Sequence, residues 1–93
     1  MVEEQVQRVI ADAAGEFIRA GHAGMVGGAA ATVKKALSDI LPEIEWWVDE
    51  HRIAMLEGNG WHQIQLWVGP VINGVTVAKM YLVRAQDQRN LER

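Results

Sequence analysis

Two runs rich in Val, Ile, Leu, Trp and Tyr flank Asn73-Gly74 in the segment WHQIQLWVGPVINGVTVAKMYLV, residues 61–83. An Asn-Gly pair readily takes the two positive φ values that a two-residue turn demands, so this segment reads as a β-hairpin. The turn sets the pairing as well: Ile72 opposes Val75, Val68 opposes Lys79, and Leu66 opposes Tyr81. One face of the hairpin then carries Ile64, Leu66, Val68 and Ile72 beside Val75, Val77, Tyr81 and Val83, and this is the face that helices are expected to cover. The other carries Trp61, Gln63, Gln65, Trp67 and Val71 beside Thr76, Ala78, Met80, Leu82 and Arg84. Gly69-Pro70 threatens the register, since a bulge there flips the side chains on one side of it relative to the other.

Upstream the period changes. Val2, Val6, Val9, Ile10, Ala13 and Phe17 recur every three or four positions, with Arg8, Asp12, Glu16 and Arg19 opposite, which is the pattern of an amphipathic helix. Gly21 stands where a left-handed cap would end it. Gly15 inside it costs about 1 kcal/mol relative to Ala, which suggests that another element comes close there. A second helix is expected from about Ala29 to Leu41, with Val33, Ala36, Leu37, Ile40 and Leu41 on its apolar face and Pro42 as its boundary.

Between the helices lies GHAGMVGGAAAT, residues 21–32. A dinucleotide phosphate loop follows a strand, and the Walker type needs Gly-Lys-Ser/Thr; here a helix precedes the glycines and Lys34 lies well past Gly28. A helix-to-helix connector is the expectation, with a small-residue helix start packed on its neighbour as the other structural reading.

Residues 42–58, PEIEWWVDEHRIAMLEG, fit two periods. Ile44, Trp46 and Val48 alternate with Glu43, Glu45 and Trp47, and Ile53 and Met55 resume after a break at Asp49-Glu50; yet Leu41, Ile44, Val48, His51 and Met55 form an equally good helical seam. The aromatic and β-branched residues, the preceding proline and the loop EGNG favour a strand, while Glu, Ala54, Met55 and Leu56 favour a helix. The expected fold is α+β, a single domain over residues 1–93, with two N-terminal helices on one face of a three-stranded antiparallel meander. The alternative is three helices and a hairpin. Residues 84–93 read as a polar tail, frayed or a short helix.

Composition narrows the function by exclusion. Ninety-three residues are near the lower end for a self-sufficient core, and the chain has no cysteine to staple it or to bind zinc. No apolar run approaches the ~18 residues of a membrane span, and the start MVEEQVQR is acidic where a signal peptide is basic; a soluble cytoplasmic protein, or part of an assembly formed inside the cell, is expected. The net charge is -3. Residues 39–58 hold Asp39, Glu43, Glu45, Asp49, Glu50 and Glu57 against Arg52 alone, and a pI of about 5.5 argues against direct nucleic-acid binding. Glu43, Glu45, Asp49 and Glu50 form either a solvated face or an acidic surface that docks on a basic partner.

Catalytic signals are absent. Ser38 is the only serine and has no histidine near it in sequence, and Thr32 and Thr76 lack motif context. His51 and His62 lie near acids, but pairing 51–56 with 61–66 sets His62 opposite Met55, some 13 Å along the sheet from His51. They cannot share a metal, and neither a cofactor nor a metal is implied. The four tryptophans, Trp46, Trp47, Trp61 and Trp67, all fall in the second half; they either complete a small core or lie in an interface. The expectation is a non-catalytic interaction or assembly protein, a homo-oligomer or a component docked on a larger protein complex. Its contact surface would be the outer sheet face, with Trp61, Gln65, Trp67, Val71, Met80, Leu82 and Trp46. A viral or secretion assembly subunit and a small acidic inhibitor both fit that description. The rival is a small-molecule binder or enzyme with a pocket near His51 and His62.

Overall fold

The first helix ends where Gly21 takes a positive φ, with His22 N–H donating to Phe17 O and Gly21 N–H to Ile18 O. This is a Schellman end, and its usual side-chain contact is made by Phe17 and His22, whose rings meet edge-on at 5.7 Å. The computed structural model describes residues 3–56 and 58–89, and the side chains of all but 52–56 of these. Val2 of the apolar stripe, Glu57 of the acidic stretch and the tail beyond Arg89 lie outside the described residues, as do the side chains of Ile53 and Met55.

Helix α1 (Glu3–Arg19) buries Val6, Ile10, Ala14, Phe17 and Ile18. Gly15 is buried as well. The atoms closest to a Cβ built there belong to the flexible Arg19 guanidinium, which folds back over the helix. Helix α2 (Gly28–Ile40) buries Ala29, Val33 and Leu37 and stops before Pro42, with Leu41 already out of helical geometry at φ -126° and ψ 69°. Its first residue is glycine for a packing reason, since a Cβ on Gly28 would stand 2.7 Å from the Phe17 ring. The glycine-rich segment therefore finishes as a small-residue helix start pressed on α1.

Of residues 42–56, Glu45–Leu56 form a strand rather than a helix, and 42–44 make the turn into it. The strands are β1 (Glu45–Leu56), β2 (Trp61–Ile72), β3 (Val75–Thr76) and β4 (Lys79–Gln86), in one antiparallel sheet with β2 paired to all the others. The expected third strand is thus split in two. Its register is nevertheless the one the Asn73-Gly74 turn dictates: Ile72 pairs with Val75, Val68 with Lys79 and Leu66 with Tyr81. The gap at 77–78 faces Gly69 and Pro70. Proline has no N–H to give the ladder, and a Cβ on Gly69 would stand 2.3 Å from the Val77 carbonyl oxygen. Bonding lapses there without a residue being gained or lost. The bulge lies instead in β1, where the pairing shifts by one between Glu50 and Ile53.

Both helices cover one side of the sheet, α2 over β1 and α1 over β4. The core joins the helix residues to Trp46, Ile64, Leu66, Val68, Val83 and Ala85. Cover does not reach the hairpin tip, contrary to expectation: Ile72, 64% exposed, and Val75 and Val77 stand in solvent. A 17-residue helix spans about 26 Å and a 12-residue strand about 40 Å, so the sheet outruns its cover and the molecule measures 48 × 21 × 20 Å. Lys79 pairs with Glu3 at the near end of α1, and that carboxylate holds the Lys79 ammonium above its usual pKa. At the other end Asp87 N–H donates to Gly60 O at 2.8 Å, and the Arg89 guanidinium donates to Gly21 O at 2.8 Å. Arg84, Ala85 and Gln86, read from sequence as the start of a polar tail, are the last residues of β4.

Candidate functional site

Strand alternation sorts every candidate residue onto one of two faces. In β1, Trp46, Val48 and Glu50 pair with Pro70, Val68 and Leu66 and so face the helices; Glu45, Trp47 and Asp49 pair with Val71, Gly69 and Trp67 and face away. On the outer side β2 adds Gln65, Trp67 and Val71, and β4 adds Met80 opposite Trp67 and Leu82 opposite Gln65. Among the described residues no helix lies over this side.

The resulting surface is apolar at its centre and charged at its margins. Leu82 is 54% exposed, and Trp47 and Met80 are each 41% exposed. Trp67 is half-buried among its neighbours; the His51 ring meets it edge-on at 5.6 Å, and its Nε1–H is buried without an acceptor. Gln65 and Val71 are half-buried. Trp61 sits at the far end of the same face under the Arg84 guanidinium, 4.9 Å from the ring centroid, a cation–π contact of about 0.5–1 kcal/mol at an exposed site.

Two candidates leave the surface. Trp46 is 5% exposed and belongs to the core, on the helix side. Carrying the pairing of the β1–β2 turn unchanged along β1 sets Trp46 opposite Val71 on the outer face; the bulge moves it opposite Pro70, and Trp47 takes the outward place. Glu50 is the other. Its Oε1 accepts from the Ala30 N–H at 2.8 Å, at the start of a helix whose own Gly27 supplies no side-chain cap. A carboxylate there satisfies a free donor and faces the positive end of the helix. Glu43, Glu45 and Asp49 remain exposed. Glu50→Ala is expected to lower stability by about 1–2 kcal/mol in urea unfolding, and Glu45→Ala by less than about 0.5 kcal/mol.

The histidines separate. His51 faces outward, with Nε2 3.8 Å from Asp49 Oδ2. His62 pairs with Met55, as its place after the turn implies, and with Ala85; it lies half-buried on the helix side with Nδ1 unpartnered. Opposite faces of a sheet cannot offer one pocket. Among the described residues no group of three His, Cys, Asp or Glu is placed to hold a metal. An apolar concavity lies elsewhere, a cleft of about 220 Å³ at the hairpin root bordered by Val6, Ile44, Trp46, Val68, Pro70 and Tyr81, and no histidine lines it. Among the described residues no helix is long and apolar enough to cross a membrane.

Comparison of the chain with protein-family models, with curated proteins and with solved structures finds no match.

Proposed function

We propose that the protein is a non-catalytic assembly protein that associates with itself and uses the outer sheet face as its contact surface. The observation behind this reading is the one-sided helix layer, which leaves Trp47, Met80 and Leu82 in solvent around Trp67. Aromatic and Met residues on a half-shielded face are what interface centres are enriched in, and a bare apolar sheet face is unusual for a protein that stays alone. Acids at its margin, Glu45 and Asp49, supply a polar rim.

Gln65 tests this reading, since it lies on the outer face of the central strand, away from either sheet edge. Gln65→Lys sets a charge at the centre of the surface without touching the core. Sedimentation velocity at micromolar concentration should show an oligomer for the natural chain, and association weakened about tenfold or more by Gln65→Lys with thermal stability kept. A natural chain that sediments as a monomer throughout, or a Gln65→Lys variant that associates as tightly, would remove the outer face as the contact.

A further inference from the structure

We propose that copies of this chain join edge to edge, the β1 edge of one pairing in parallel with the β4 edge of the next, in the register that sets Asp49 beside Arg84. The inference rests on the self-association proposed above and adds to the outer-face contact a second one between copies, at the sheet edges. β1 and β4 are both antiparallel to β2, so they run in the same direction on opposite sides of one sheet. Among the described residues neither has a strand on its far side. An unpaired edge is a template for another strand. Copies that follow one another in the same orientation bring β4 of one to β1 of the next as a parallel pair.

Charge selects this pairing over its rivals. On the outer face the straight part of β1, ahead of the bulge, carries Glu45 and Asp49 and no base, whereas β4 carries Arg84 and no acid; Glu50 and Lys79 face the helices, held by the Ala30 N–H and by Glu3. A β1–β1 contact sets acids against acids, and like charges directly opposite one another destabilise a pair of strands. Pairing β1 with β4 sets opposite charges together.

Side-chain type then selects the register. The outward residues are Glu45, Trp47 and Asp49 on β1, and Met80, Leu82 and Arg84 on β4. With Asp49 beside Arg84, Trp47 falls beside Leu82, both exposed apolar side chains. On the helix side the same register sets Trp46 beside Tyr81 and Val48 beside Val83. A slip of two residues one way sets Asp49 beside Leu82; a slip the other way sets Trp47 beside Arg84. The Arg84 guanidinium already lies on the outer face, over Trp61. The Glu50–Ile53 bulge ends the straight edge and limits the joint to Glu45–Glu50. Such a contact is heterologous, so it continues from copy to copy and closes as a ring or extends as a filament.

A chain without cysteine suits the test. Neighbouring strands place Cα atoms about 5 Å apart, within disulfide range. Asp49→Cys and Arg84→Cys proteins, oxidised separately, should stay uncross-linked, and mixed they should form a disulfide between the two variants. Asp49→Arg alone and Arg84→Asp alone should each sediment as a smaller species than the natural chain, and an equimolar mixture should regain larger assemblies because each altered edge then meets its complement. Circular dichroism checks that both charge variants are folded, and the neutral cysteine pair decides the question if one is not. A disulfide in Asp49→Cys alone, or natural assembly by Asp49→Arg, overturns the edge pairing while leaving outer-face association to be judged by Gln65→Lys. A natural chain that is monomeric overturns both.

Discussion

Gly69→Val is expected to cost about 3 kcal/mol or more in stability, at the upper end of what overpacking does, because the side chain would grow into main chain. A Cβ at that position stands 2.3 Å from Val77 O and 2.9 Å from Ala78 Cα. Side-chain tips swing aside; this segment cannot. It is held between two stretches of ladder, with Thr76 on Val71 before it and Lys79 on Val68 after it. Relief therefore requires one of those stretches to open. Urea unfolding followed by Trp fluorescence measures the loss, and the exposed neighbour change Val77→Ala should alter it by less than about 0.5 kcal/mol. A Gly69→Val protein as stable as the natural one would mean that the third strand does not cross Gly69 so closely.

Leu66→Ala is expected to remove about 2–5 kcal/mol, the range for truncating a fully buried aliphatic side chain. Leu66 is fully buried in the centre of the central strand, beneath both helices. Small domains are stable by only about 5–15 kcal/mol in total, so this single change consumes a large share of the margin. The control lies next to it across the strands: Leu82, opposite Gln65, points the other way. Leu82→Ala should cost less than about 1 kcal/mol in the same denaturation series. Equal losses at the two positions would show that the outer face is buried as deeply as the inner one.

That contrast was partly legible from residues alone. Asn73-Gly74 is a local signal, and it yields the pairing of β2 with β3 and β4 residue for residue, including which leucine faces which way. The ends of both helices were equally local, written in Gly21 and Pro42. What escaped was non-local. No pattern in EWWVDEHR marks the extra residue between Glu50 and Ile53, although the break in alternation at Asp49-Glu50 stands next to it. That one residue exchanges Trp46 and Trp47 between core and surface. Glu50 reads as one more surface acid because the donor it satisfies, the Ala30 N–H, is 20 residues away and belongs to a different layer. The division of the third strand follows from Pro70 and Gly69 only once they are known to face it. Composition exposed the surplus of apolar surface, but only the length mismatch between α1 and β2 shows where at the hairpin tip it lies.

The strands follow one another as a meander in residues 45–86, so every strand pairing joins segments close in the chain. The helix α1 is the exception: its seat is β4, and Glu3 meets Lys79, 76 positions later. Contacts of short loop form early and those of long loop form late. In synthesis α1 precedes its seat on β4 by the length of the whole sheet. α1 can pack on α2 as soon as both are made, with Phe17 against Gly28, but its sheet-side residues gain cover only once β4 is in place, so docking of α1 on β4 follows the pairing of the strands.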